Sequence, residues 1–200
     1  MQNNRMGRPH VSGITETLLE AAERIMMGEG YAALTVDGLV NEIGTTRPTF
    51  YRRFPNIAHL ALEVIKTRFG GVNNVDTGSL YEDLLVLQRE EIAMYASPLL
   101  RNNLPGILDA AGADETLRDL CDSQFASPRR SNVARVIDAA VQRGEIDGAG
   151  IDIEYFCDML VGPVLSRALL PTGAPLDDQL ARLTTESAVM WLNNRLHTEN

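Results

Sequence analysis

The sequence predicts an all-α protein with a small three-helix head at its N-terminus and a larger helical body. Apolar residues recur every three to four positions through nearly the whole chain, which is the helical period. No stretch alternates apolar and polar residues for long enough to indicate a sheet. The 200 residues, 44% of them hydrophobic and 22% charged, can bury a core without a disulfide or metal.

The first four helices are predicted from their capping residues and breakers. Ser12 begins a helix over 12–27, and Gly28 and Gly30 end it. A second helix runs from Thr35 to Gly44, and a third begins at Thr46. Pro48 lies in the first turn of the third helix, where its missing N–H costs little. After the break at Phe54-Pro55-Asn56, the fourth helix covers 57–69.

A loop rich in glycine and asparagine at 70–78 predicts a domain boundary. We therefore expect a head over 10–69, including the connecting fourth helix, and a body over 79–197. Within the body, helices are predicted at 79–96, 98–111, 114–126, 128–143, 152–170 and 176–197.

Charge is divided unevenly between these two parts. The net charge is −9, yet residues 1–69 hold eight Arg/Lys against seven Asp/Glu, whereas residues 70–200 hold ten against twenty. Residues 43–62 contain three arginines and no acidic residue. A locally basic head on an acidic body indicates that the head meets an anionic partner.

Several classes of protein are disfavoured. The longest apolar run, 159–165, is far too short to cross a membrane, and the N-terminus lacks the apolar core of a signal peptide. Cys121 and Cys157 form no CxxC or Cys/His cluster, so neither a disulfide framework nor a zinc site is expected. No Walker, GxSxG, HExxH or dinucleotide motif is present. We expect a cytoplasmic protein that is not an enzyme and uses no cofactor or metal.

The second and third helices form the most informative pair. Only Gly44 and Thr45 connect them, which favours a steep crossing angle. The second member of such a pair can enter the major groove of DNA with its N-terminal residues first. Phe50 and Phe54, four residues apart, can anchor one face of the third helix to the core.

The segment GYAALTVDGLVNEIGTTRPTFYRRFPNIAHL resembles the DNA-binding domain of the tetracycline-repressor (TetR-type) family of bacterial transcriptional regulators. The matching features are a glycine before the second helix, a threonine and a valine at its start, an Ile-Gly turn, a Thr-x-Tyr-x-x-Phe core and a final leucine. These are Gly30, Thr35, Val36, Ile43, Gly44, Thr49, Tyr51, Phe54 and Leu60. The strong match covers residues 10–65, and the body matches in general plan.

The resemblance implies a set of DNA contacts. Arg47 and Pro48 occupy positions that meet base edges, where an arginine can read guanine O6 and N7. Tyr51 matches a tyrosine that reaches DNA. Thr35 and Thr46 begin helices and can offer phosphate a hydroxyl or a backbone N–H. The remaining expected contacts are to phosphate, from Thr49, Arg52 and Arg53, and near the minor groove, from the basic arm at Arg8.

Two positions depart from the family pattern. The family usually has a phosphate-contacting lysine where this chain has Ile57, so that contact is missing. Gly38 lies inside the second helix, where glycine costs about 1 kcal/mol relative to alanine.

The last two helices are strongly apolar, and 152–170 is apolar nearly all round, so it must be covered on more than one side. The resemblance implies that both helices pair with their copies in a two-fold dimer. The alternative is the buried core of a monomer. The expected dimer contacts are Leu160, Val164, Leu165, Leu169, Leu180, Leu183 and Trp191.

The resemblance also implies a ligand cavity among the central helices. Met and aromatic residues at helical spacing are more often plain core, but they are the candidates for its wall. The candidates are Phe69, Leu87, Met94, Tyr95, Leu104, Leu108, Phe125, Phe156 and Met159. Glu90, Glu91 and Arg167 are polar candidates that an ordinary solvated surface explains equally well.

The sequence therefore predicts a homodimeric, ligand-responsive transcriptional repressor that binds a palindromic site on double-stranded DNA and is released by a small apolar effector. Two alternatives stay open. A helical small-molecule receptor with weak or lost DNA binding is suggested by Ile57, and a transcriptional activator of the same fold would have the same sequence features.

Overall fold

The computed structural model describes residues 11–71, 74–171 and 173–195, and over these residues the chain is helical with no β-strand, which confirms the predicted fold class. None of the described helices is long and apolar enough to cross a membrane. The helices are α1 (Val11–Gly28), α2 (Val36–Glu42), α3 (Arg47–Tyr51), α4 (Ile57–Phe69), α5 (Leu80–Ala96), α6 (Pro98–Arg101), α7 (Leu104–Ala113), α8 (Glu115–Cys121), α9 (Ser127–Gln142), α10 (Ile153–Leu169) and α11 (Asp178–Arg195), with a 3₁₀ turn at Tyr31–Ala33 and a π-helical turn at Asp122–Ala126.

Side-chain caps begin the short helices of the head as the sequence predicts. The Thr35 hydroxyl accepts from the backbone N–H of Gly38 at 3.1 Å, and the Thr46 hydroxyl accepts from that of Thr49 at 3.4 Å. A Cβ on Gly38 would lie 3.0 Å from the Thr35 hydroxyl, so the glycine leaves space for the cap. Gly44 turns the chain between α2 and α3 with φ of 68°, a conformation that glycine adopts without strain.

Two predicted helices of the body are divided. The helix expected over 98–111 breaks between α6 and α7, at the buried residue Asn103. The Asn103 amide donates to the carbonyls of Leu99 at 2.6 Å and Met26 at 3.0 Å, so the break ties the body to α1. The helix expected over 114–126 ends as α8 at Cys121 and continues as the π-helical turn.

The hydrophobic core is continuous across the expected head and body. One buried cluster joins α1, α2 and α3 to α4, α5, α6, α7, α10 and α11. A second lies between α5, α9, α10 and α11 around Phe156, whose ring packs 5.8 Å from that of Trp191. A third, smaller cluster joins α4 to α7 and α8. The loop that separates head from body in sequence therefore does not separate them in packing.

Helix α4 connects the two parts most directly. Seven of its thirteen residues are buried, because α1 packs on one side and α7 and α8 pack on the other. At its start, the Asn56 amide donates to the Asp114 carboxylate at 3.3 Å. Ile57, where the family usually has lysine, is half-buried and packs against the core.

A close approach at Gly106 of α7 forms another contact between head and body. A Cβ at Gly106 would overlap the Tyr31 ring, whereas a Cβ at Gly112 of the same helix would meet nothing within 4 Å. We expect Gly106→Ala to lower the free energy of unfolding by about 1–3 kcal/mol, because a close-packed contact is overfilled. Gly112→Ala should leave it unchanged or raise it by up to about 1 kcal/mol. Urea denaturation followed by circular dichroism measures both, and equal effects would contradict the Tyr31–Gly106 contact.

Candidate DNA-binding surface and ligand cavity

Helix α3 has a buried aromatic face and an exposed polar face. Phe50 is fully buried and Phe54 nearly so, and their ring centroids lie 5.9 Å apart. The Tyr51 ring packs edge-on against Phe50 but is 53% exposed. The aromatic anchors thus hold α3 against the head while its other side faces solvent. The predicted contact residues exposed there are Arg47, Pro48, Tyr51 and Arg52.

Arg47 is oriented by a carboxylate of the neighbouring helix. Its guanidinium donates through Nε and Nη2 to the two oxygens of Asp37 on α2. These hydrogen bonds hold the pKa of Asp37 below its ordinary value and raise that of Arg47. Because both side chains are exposed, the pair contributes little to stability. Its effect is to hold an arginine in position at the N-terminal end of α3.

The other predicted DNA contacts lie in different surroundings. Thr35 and Thr46 are exposed caps, and the Thr46 hydroxyl lies 3.0 Å from that of Thr49. Arg53 is half-buried and turned towards the protein. Its guanidinium donates to Thr15 of α1 at 3.0 Å and to the Thr49 carbonyl at 2.9 Å, so it joins α3 to α1. Arg8 lies outside the described residues.

A cavity of about 630 Å³ opens within the body, a size that suits a small-molecule ligand. Its wall is formed by the end of α4, one face of α5, the π-helical turn, and parts of α9 and α10. Five of the predicted wall residues line it: Phe69, Leu87, Met94, Tyr95 and Phe125.

The other four predicted wall residues lie elsewhere. Leu104 is buried in the core shared with the head, and Leu108 is 45% exposed on α7. Phe156 packs on Trp191 in the second cluster. Met159, also absent from the wall, is half-buried on α10. Helical spacing does not distinguish a residue that faces a cavity from one that faces solid core.

An ion pair lies in the wall of the cavity. The Nε of Arg129 on α9 approaches a Glu91 carboxylate oxygen on α5 at 3.3 Å, and both side chains are less than 20% exposed. Nη1 donates to the Phe125 carbonyl at 2.6 Å, and Nη2 lies 3.0 Å from the Phe69 carbonyl and 2.8 Å from Met94 Sδ. The guanidinium carbon lies 3.8 Å from the centre of the Phe125 ring.

Burial raises the pKa of Glu91, and the Arg129 charge opposes that rise. The pKa of Tyr95 is raised as well, by burial and by the Glu91 charge. The cavity therefore combines apolar walls with a small buried polar group. Since Phe69 is the last residue of α4, Arg129 also connects this polar group to the helix that carries the head.

Most of the predicted dimer contacts are used within the chain. Leu160, Val164 and Leu180 are buried in its own core, and Leu160 and Leu165 line the cavity. Trp191 is half-buried against Tyr155 and Phe156. Only Leu169 and Leu183 are exposed as a subunit contact requires.

A different set of exposed residues on α10 and α11 has the spacing of a helix face, three, four or seven positions apart. We call it the α10–α11 face. It consists of Tyr155, Gly162, Ser166 and Leu169 on α10 and Leu183, Ser187 and Met190 on α11.

Several wall residues of the cavity are not predicted from the sequence, among them Arg129, Gln88, Cys157 and Val161. Arg129 stands beside Arg130 in the polar stretch SPRRSN, which has the composition of a solvated helix start. The detectable signal was the acidic pair Glu90 and Glu91, since a buried carboxylate requires a partner. The third polar candidate, Arg167, does not line the cavity and donates instead to the Pro175 carbonyl at 2.7 Å.

Two family models match the chain. Residues 18–64 match the model described as bacterial regulatory proteins, tetR family. Residues 74–188, more than half of the chain, match the tetracyclin repressor-like C-terminal domain. The first match covers the helix-turn-helix pair, and the second covers the cavity wall except for Arg68, Phe69 and Gly71.

Curated relatives agree with these matches. An uncharacterized HTH-type transcriptional regulator of Bacillus subtilis, YdeS, is 27% identical over 183 residues, 91% of this chain and 90% of the relative. The DNA-binding transcriptional repressor TetR of Mycobacteroides abscessus is 30% identical over 167 residues, 80% of this chain and 84% of the relative.

Solved structures share the fold. The TetR family transcription regulator SCO0332 superposes with a TM-score of 0.69 at 25% identity, over 88% of this chain and 97% of that one. FadR of Bacillus subtilis in complex with stearoyl-CoA (TM-score 0.60, 16% identity, 87% and 97% covered) and a regulator of Saccharomonospora viridis in complex with choline (0.63, 16%, 88% and 95%) have the same architecture. With its basic helix-turn-helix head, its helical body and both family models matched, this chain belongs to the TetR family of DNA-binding transcriptional regulators.

Proposed function

We propose that this protein acts in the cytoplasm as a homodimeric repressor that binds a palindromic operator and is released by a small-molecule effector. The observation that carries the proposal is the position of α4. It packs against α1 of the head, and its last residue, Phe69, lines the cavity. A ligand in the cavity therefore meets a helix that packs on α1, and α1 holds Arg53 at the end of α3 through Thr15.

In the proposed complex, α3 lies in the major groove. Arg47, Pro48 and Tyr51 meet base edges, while Thr35, Thr46, Thr49 and Arg52 meet phosphate. Arg53 supports α3 from behind, through Thr15. Two heads held about 34–36 Å apart by the dimer would read successive turns of a palindromic site.

The α10–α11 face supports the dimer. Leu169 is 39% exposed, Leu183 47% and Met190 62%, which is unusual for large apolar side chains gathered on one surface. Gly162 and Ser166 are small enough to let a second helix approach closely. Pairing this surface with its copy forms a two-fold interface.

Release requires that the effector favour a conformation in which the heads no longer fit the operator, because equal affinity for both conformations shifts nothing. The ligand-bound FadR and choline-complexed neighbours support a body that binds small molecules. At 16% identity their ligands do not carry over to this chain.

The test of the proposed function is a salt titration of purified protein on the DNA flanking its own gene, beside a scrambled duplex. We expect selective binding that weakens steeply with salt. Arg47→Ala should lower operator affinity about tenfold or more and reduce discrimination between the duplexes. Arg118→Ala, which removes an exposed charge from α8, is the matched control. It should leave operator affinity and discrimination between the duplexes unchanged. Absence of salt-sensitive binding to any duplex would contradict the repressor.

The adjacent residues Arg52 and Arg53 should respond differently to substitution, because one is expected to contact DNA and the other to stabilise the fold. Arg53→Ala should lower the free energy of unfolding by about 1–3 kcal/mol, because it removes hydrogen bonds of a half-buried charged group. Arg52→Ala should change stability by less than about 0.5 kcal/mol. It should weaken binding to operator and scrambled DNA alike and lower the salt dependence by about one counterion. Urea denaturation and fluorescence anisotropy separate the two effects, and reversed roles would refute the assignment of Arg53 as the support.

The dimer is tested by placing like charges on the α10–α11 face. Leu169→Asp and Leu183→Asp should each weaken self-association about a hundredfold or more, measured by sedimentation over a range of concentrations, because each buries an unpaired carboxylate against its copy. Leu108→Asp, at an equally exposed leucine of α7, should leave the association unchanged. A dimer that survives both substitutions must use another surface.

A further inference from the structure

The polar part of the cavity wall indicates the charge of the ligand. Most of the lining is apolar, and the innermost charged groups are Glu91 and Arg129. Whichever of the two keeps unused hydrogen-bonding capacity is the group available to a ligand. The two differ clearly in this respect.

Arg129 has little capacity left. Of its five N–H donors, four are directed at Glu91, the Phe125 carbonyl, the Phe69 carbonyl and the Met94 sulfur, and one face of the guanidinium is covered by the Phe125 ring. A ligand carboxylate that bound Arg129 in the usual two-pronged way would have to displace contacts that are already made.

Glu91 has capacity to spare. Its two oxygens offer about four acceptor positions. Among the residues that the structure describes, only Arg129 pairs with this carboxylate, at an Nε–oxygen distance of 3.3 Å. A carboxylate in the cavity wall with unused acceptor positions pairs best with a charged donor.

The charges of the body around the cavity also favour a positively charged ligand. Residues 70–200 hold ten Arg/Lys and twenty Asp/Glu. Arg130, also in the wall, is paired with Asp122 and Glu154. The exposed charged residues of the wall are Arg68, Glu90 and Asp158, one base and two acids. An acidic body raises the local concentration of cations over that of anions.

We propose that the cavity takes an apolar molecule carrying a protonated amine, and that its ammonium group pairs with the Glu91 carboxylate. This inference rests on the proposed function, in which the cavity is the effector site. It also suggests how the ligand acts on the head. An ammonium at Glu91 places a second cation on the carboxylate that pairs with Arg129, and Arg129 is the residue that donates to the Phe69 carbonyl at the end of α4.

The test compares three probes of equal chain length, n-octylammonium, n-octanol and n-octanoate, by isothermal titration calorimetry on the full-length protein. We expect n-octylammonium to bind about tenfold or more tightly than n-octanol, and n-octanoate to bind more weakly than either. Equal affinities for the three probes, or tightest binding of n-octanoate, would overturn the proposal.

Glu91→Gln should bring the n-octylammonium affinity down to that of n-octanol. Glu82→Gln, which removes an exposed carboxylate from the same helix, is the charge-matched control and should change nothing. Because Glu91→Gln leaves Arg129 buried without a counter-ion, the double variant Glu91→Gln with Arg129→Met keeps the test valid if the single variant fails to fold. An ammonium preference that persists in either variant would overturn the assignment of Glu91.

Operator binding is measured on the same samples without any probe. Intact operator binding with no ammonium preference overturns only the ligand class. Loss of salt-sensitive DNA binding with an intact ammonium preference overturns the repressor and leaves the ligand class standing.

Discussion

The burial of helix α4 is the constraint on which the rest of the molecule depends. Seven of its residues are buried between α1 of the head and α7 and α8 of the body. Hydrogen bonds attach both ends to the body, through Asn56 and Asp114 at the start and through Phe69 and Arg129 at the finish. A helix held in this way cannot move without changing contacts on both sides. The position of α3 and the shape of the cavity are therefore linked by packing.

Charge, like packing, distinguishes the head from the body. The exposed arginines of α3 lie in a stretch of twenty residues without an acid, while the body carries twice as many acids as bases. This division directs DNA phosphate to the head and keeps it from the body. Inside the body, the Glu91 carboxylate in the cavity wall is paired with Arg129 at 3.3 Å. In the function proposed above, the same charge imbalance would favour DNA at the head and a cation in the cavity.

The wall of the cavity was predicted only in part from the sequence. Five of nine predicted wall residues line it, and the others are core or surface. Leu160 and Leu165 were expected at the subunit contact but face the cavity, because α10 is apolar on nearly every side and the pattern does not distinguish those sides. Arg129 was missed because its importance comes from Glu91, Phe69 and Phe125, which lie on three different segments.

The capping, turn and anchoring residues of the head could be identified from the sequence by itself. The caps at Thr35 and Thr46, the turn at Gly44, the break before α4 and the aromatic anchors of α3 each depend on residues within four positions, so the head and its family resemblance could be predicted. Tertiary structure alone decided which side of each long helix faces core, cavity or solvent. It also decided that Arg53 turns towards Thr15 and that Asn103 breaks a predicted helix to reach Met26. These outcomes depend on partners dozens of residues away. Apolar periodicity predicts that a helix face is buried, but it does not predict which element packs against that face.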